Sequence, residues 1–170
     1  MTQYQELKGN ALRAYEQMVN KIRQKAMSEL RLSAKEVVVR PLRPADVSSV
    51  TDWYFTNGAV SSSAWGTSNA ISDQTIANNR FVGVNGFFNT SAASSLSALR
   101  ITREGAVARE WSTYEVPNML HQTCWVDDPV TLDQNTTVSL GFYFGITGTL
   151  TDTFGLIGAV AEKRGLLVNP

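Results

Sequence analysis

At 170 residues the chain has room for one domain with its own core plus an appendage. Its fifteen Lys/Arg and fifteen Asp/Glu cancel, but unevenly: Met1 to Arg43 holds nine basic residues against four acidic, and Pro44 to Pro170 six against eleven. The single cysteine, Cys124, excludes an intrachain disulfide, and no apolar run approaches the ~18–20 residues that span a bilayer.

The first element is helical. Gln5 to Leu30 is charged, poor in β-branched residues and long enough for one helix of roughly 39 Å. Tyr4, Leu7, Ala11, Tyr15, Met18, Ile22, Ala26 and Leu30 recur in steps of three and four, which keeps an apolar stripe on one side. Lys8, Arg13, Lys21, Arg23 and Lys25 lie mostly off that stripe. Gly9-Asn10 is the weak point of the pattern, at about 1 kcal/mol against better helix formers. A helix this long overhangs a body of ordinary size, so Leu7, Tyr15, Met18, Ile22 and Leu30 are expected to form an interface with another chain. The alternative is that the stripe lies across its own domain. A membrane surface is disfavoured because the apolar face lacks Trp and Phe anchors.

At Lys35 the period changes. Glu36 to Val47, EVVVRPLRPADV, carries a β-branched triplet and then Pro41 and Pro44, which forbid a helix and favour an extended, edge-like junction. Residues 1–35 thus read as a helical arm and 36–170 as a β domain. Val50 to Thr56 reads as a strand ending in a hairpin at Asn57-Gly58. The segment around Trp65 reads as a polar loop. Arg80 to Phe88 is a strand interrupted by glycines, which implies a bulge or a close backbone approach. Glu104-Gly105 marks a second hairpin, and Asp127-Asp128-Pro129 a turn. Thr137 to Ile146 alternates strictly, with Val138, Leu140, Phe142, Phe144 and Ile146 on one face. TGTLTDT reads as a further turn, and the residues from Phe154 as a last strand pair broken at Lys163-Arg164-Gly165. The fold class expected is mainly β: an antiparallel β-sandwich or jelly roll preceded by a long N-terminal amphipathic α-helix.

The chain offers little for chemistry. His121 and Cys124 cannot supply the three or four ligands of a zinc site, and no cofactor or metal is expected. Three-residue spacing on a strand sends His121 and Cys124 to opposite faces, against a thiol–imidazole dyad, so Cys124 is expected as a small buried hydrophobe. Glu104, Glu110 and Glu115 are not presented as a catalytic pair. Asp127, Asp128 and Asp133 read as turn residues before a calcium site. No enzymatic activity is expected. Trp53, Trp65, Trp111 and Trp125, with Tyr54, Tyr114 and Tyr143, are expected mostly in the core, the alternative being a sugar-stacking platform. Trp65 is the exception: its small, polar surroundings give it no core partner, so it is a candidate exposed anchor for another chain or a ligand. The acidic body repels phosphate, which counts against nucleic acid as a partner.

In its layout the chain resembles capsid decoration (cement) and minor capsid proteins of tailed bacteriophages and related viruses. The resemblance is carried by the helix Gln5–Leu30, the extended VVVRPLRP, the strand VSLGFYFGI and the closing GAVAEKRGLLVNP. It implies a non-enzymatic virion protein that binds major capsid subunits and copies of itself, as a dimer or trimer, and stabilises a shell. Assembly in a host cytoplasm fits the N-terminus, which has no apolar stretch of the secretory type. The other classes in view are a carbohydrate-binding or adhesin head and a cellular scaffold or oligomerisation subunit.

Overall fold

The computed structural model of the chain describes residues 8–48, 53–60, 65–67, 71–89, 96–113, 122–145 and 148–165. One α-helix, α1 (Gly9–Glu29), precedes β1 (Val37–Pro41), a one-turn 3-10 helix (Pro44–Asp46) and β2 (Tyr54–Val60). There follow β3 (Trp65–Thr67), β4 (Gln74–Thr75), β5 (Arg80–Asn89), β6 (Leu96–Arg103) and β7 (Ala106–Ser112). The chain closes with β8 (Thr123–Leu132), β9 (Thr137–Phe144) and β10 (Gly148–Lys163).

The strand pairings nest. β6 pairs with β7, β5 with β8, β3 and β4 with β9, and β1 and β2 with β10, all antiparallel. This is one long hairpin with its tip at β6–β7, rolled up until β10 also meets β5 and β9 also meets β6. Two sheets result: β1-β10-β5-β8 with β2 also on β10, and β3-β9-β6-β7 with β4 also on β9. That order is a jelly roll, one of the two architectures expected.

The core lies between the sheets. Val82, Val84, Phe87, Leu156 and Val160 face Leu99, Ile101, Val138, Leu140 and Phe142, all buried. Phe154 links the two sets: its ring stacks on Phe87 at 5.8 Å and meets Phe142 edge-on at 5.5 Å. Strict alternation along β9 produces this directly, since Val138, Leu140 and Phe142 are the residues it buries among its described side chains.

Glu104 and Gly105 form the two-residue turn of the β6–β7 hairpin, with φ of 50° and 77°. Both central residues therefore sit where a primed turn needs them, and the strand twist is matched. The other turn expectations yield to pairing. Asn57-Gly58 lies inside β2, at a bulge where Val60 pairs with Gly148 and Asn57 with Leu150, so no hairpin forms there. From Gly148 on, TGTLTDT is the first part of β10, which runs for 16 residues to Lys163; Thr147 lies outside the described residues. Asp127, Asp128 and Pro129 lie within β8, where the register with β5 jumps between Val84 and Gly86. Val84 pairs with Val130 and Gly86 with Trp125, so Val126 to Pro129 form an excursion at the sheet edge, where a proline costs no ladder bond. Trp65 begins β3 and is not in a loop. β1 is the edge strand expected of VVVRP, ending in Pro41.

Candidate functional site

The apolar stripe of α1 is covered by the protein's own sheet. Ala14, Met18, Ile22 and Ala26 are buried, and the last three cluster with Val37, Phe81, Ala159 and Ala161 on the outer face of the β1-β10-β5-β8 sheet. Neighbouring strand residues Val82 and Val160 point the other way, into the sandwich, so this sheet is apolar on both faces. Small residues make the seat. A Cβ on Gly83 would stand 2.6 Å from the Met18 Sδ, so a side chain there would displace the thioether from its seat. Tyr15 and Leu30 are half-buried against the same cluster, with Val19 and Met27. Leu7 and Tyr4 lie outside the described residues.

The contact expected with another chain is therefore, for Met18 and Ile22, a contact within this one. The physical reason is size. The helix begins at Gly9, whose φ of 60° ends it on the N-terminal side, and its 21 residues span roughly 32 Å. Its buried residues run from Ala14 to Ala26, so roughly 18 Å of that length lies against the sheet. At the other end Arg31 adopts φ 54° and the Leu32 N–H bonds the Met27 carbonyl at 3.0 Å, a Schellman closure that turns the chain toward β1. Lys25 pins the last turns by an ion pair to Asp133 at 2.6 Å. Leu12, Arg13, Lys21 and Arg23 face outward.

A second cluster lies near the end of β10. The Arg40 guanidinium donates twice to Asp46, at 2.7 Å each, and to Glu162 at 2.8 and 3.2 Å. Arg80 donates to the other side of Glu162 at 2.9 Å and stands 3.5 Å from Asp46. Asp46 also accepts the Arg43 backbone N–H at 2.8 Å. The Glu162 side chain is 1% exposed and that of Asp46 4%, so two positive and two negative charges balance in a nearly dry site. The hydrogen bonds to Asp46 push the Arg40 pKa up against the opposing effect of burial. Every carboxylate oxygen in the group is engaged, so the arrangement locks β1, β5, β10 and the 3-10 turn together and leaves no group poised for proton transfer.

The third cluster stands on the outer face of the β3-β9-β6-β7 sheet. Trp65 is half-buried there, with the Arg100 guanidinium 4.0 Å over its ring and Tyr143 edge-on at 5.4 Å. Gly141 lies between the strands that carry Trp65 and Arg100, and its missing side chain leaves the ground between them open. Beside them is a pocket of about 440 Å³ lined by Trp65, Ser97, Ala98, Glu110, Trp111, Ser112 and Tyr143. Trp65 thus has a partner after all, Arg100, which sequence inspection did not single out. Thirty-five positions separate the two, and only the β3–β9–β6 register joins them.

The remaining candidates are placed apart. Cys124 is half-buried against the core, and burial pushes its thiol pKa up, away from a nucleophilic thiolate. His121 and Glu115 lie outside the described residues. Glu104 accepts the Thr137 N–H at 2.6 Å, whereas Glu110 is exposed at the pocket. Asp128 is paired with Arg109 and Asp133 with Lys25. Among the described residues no three His, Cys, Asp or Glu side chains gather to hold a metal ion, and no helix is long and apolar enough to cross a membrane. Trp53 packs edge-on against Phe88 and Trp111 against Phe87, both beside the core.

No family model and no curated protein matches this chain. Among solved structures, a chain in the structure of infectious bursal disease virus, Gx strain, is similar over 76% of this chain, at 10% sequence identity and a TM-score of 0.32. The matched region spans 34% of that viral chain, so this protein corresponds to about a third of its length.

Proposed function

We propose that the protein is a non-enzymatic structural component of a virion, a capsid decoration or minor capsid subunit that stabilises a shell by binding other protein subunits and copies of itself. The observation that supports this reading is the nested jelly-roll order of the strands, an architecture used for viral shells. The support is by analogy of fold. With the inner stripe of α1 occupied, its outward side is a surface left for partners. Its residues Leu12, Arg13, Lys21 and Arg23 are exposed. Lys21 continues onto the body, where it lines a trough of about 240 Å³ with Arg103 and Arg109. Arg109 is already paired with Asp128, so Arg13, Lys21, Arg23 and Arg103 carry the basic strip, which faces an acidic neighbour in the assembly; the acidic body of a second copy supplies one.

Light scattering behind size exclusion tests the reading on the full chain and on a variant with Arg13, Lys21 and Arg23 all replaced by Glu. The native chain is expected to form a dimer or trimer at low salt, and the variant a monomer with unchanged stability. These are exposed positions, so each substitution shifts stability by no more than about 0.5 kcal/mol. A native chain that stays monomeric at every concentration contradicts the proposal.

A further inference from the structure

We infer that the pocket on the outer face of the β3-β9-β6-β7 sheet binds a neutral saccharide. The site is built by register. Trp65, Tyr143, Ala98 and Ser112 stand in one row across the four strands. The row runs from two large aromatic rings to two small side chains, which leaves a hollow beyond Tyr143. Its volume of about 440 Å³ lies within the ~300–1,000 Å³ range of small-ligand sites.

The lining matches what a pyranose presents. A sugar ring has an apolar C–H face, which lies on aromatic carbon, and a rim of hydroxyls, which need both acceptors and donors. Trp65 and Tyr143 supply the aromatic surface, Glu110 a carboxylate that only accepts, and Ser97 and Ser112 hydroxyls that do both, while the Trp111 ring turns inward against Phe87. Glu110 stands opposite Arg100 in the β6–β7 register, so the two charges offset and the pocket favours a ligand without net charge. The polar half of the lining disfavours a purely apolar segment, which would leave Glu110 and the serines unpaired.

The Trp65 ring is held before any ligand arrives. Arg100 over one side at 4.0 Å and Tyr143 at 5.4 Å hold it, so little side-chain freedom remains to be lost on binding. α1 packs on the opposite sheet, and at this pocket Glu110 and Ser112 are exposed. The inference is independent of the shell reading: a chain that binds sugar as a monomer, or assembles without binding sugar, separates the two.

Ligand-observed saturation-transfer NMR on the full chain tests it, with the methyl glycosides of glucose, galactose, mannose and N-acetylglucosamine at millimolar concentration as probes. Transfer to the ring C–H protons of at least one probe is expected. Trp65→Ala should abolish it, and Glu110→Gln should weaken binding about tenfold, the loss of one charge-assisted hydrogen bond. Ser112→Trp places a large ring in the hollow from an exposed position, without touching the core, and should abolish transfer while the melting temperature holds. Absence of transfer from all four probes overturns the inference. So does transfer that survives Ser112→Trp.

Discussion

Met18→Asp is expected to cost about 4 kcal/mol or more and to lift α1 from the sheet. Met18 is 2% exposed, with its sulfur directly over Gly83 and Ile22 and Ala26 beside it. Truncating a buried methionine alone costs about 2–5 kcal/mol. A carboxylate in its place adds the desolvation of a charge among apolar side chains. Leu12→Asp is the matched comparison, because Leu12 is 36% exposed on the same helix and its replacement should shift stability by no more than about 0.5 kcal/mol. Urea unfolding followed by far-ultraviolet circular dichroism reads both. A Met18→Asp midpoint close to that of Leu12→Asp would show that α1 contributes nothing by docking.

Glu162→Gln should destabilise the body by about 3 kcal/mol, near the lower end for breaking a buried ion pair. The change leaves Arg40 and Arg80 facing each other with a single remaining carboxylate, Asp46, between them. Their side chains are 12% and 20% exposed, so water screens part of the resulting repulsion and the lower figure applies. Arg80→Gln in the same background should return part of the loss, since it removes the one excess cation. Thermal unfolding of the two single variants and the double variant forms the cycle. Strict additivity would mean that Arg80 and Glu162 do not act together, contrary to their 2.9 Å contact.

The elements most legible in the sequence were those where one periodicity decides. Val138, Leu140 and Phe142 alternate without exception and are buried without exception. The stripe through Met18, Ile22 and Ala26 was equally clear as a stripe. Its partner was not, because periodicity reports that a face needs covering and not which surface covers it. The covering surface combines Val37 and Phe81 with Gly83, Ala159 and Ala161, and the last three serve by their smallness, a property that carries no signal along the chain.

Turn chemistry failed where a long partner strand was available. Asn57-Gly58 is the strongest local hairpin signal in the chain, yet β10 pairs along β2 on both sides of it and absorbs the extra residue as a bulge. The polar character of TGTLTDT suggested a turn, but from Gly148 to Thr153 ladder bonds to β2 hold the chain extended. The charged network escaped notice for a related reason. Arg40, Asp46, Arg80 and Glu162 span more than a hundred positions, and they meet only because β1 and β5 both flank β10. Trp65 was legible as anomalous, whereas Arg100 and Glu110 became legible only once β6 was placed between β9 and β7.

The claim that governs which surfaces are free for partners is that α1 is part of the body and not a detached arm. Amide hydrogen exchange on the full chain, at a concentration where it is monomeric, tests this most directly. If α1 is docked as described, the amides from Ala14 to Ala26 exchange far more slowly than those of a free helical peptide, and Met18→Asp releases them while β5 and β9 stay protected. Exchange of the native helix at free-peptide rates beside a protected sheet would contradict the account, and would return Met18 and Ile22 to the surface available for another chain.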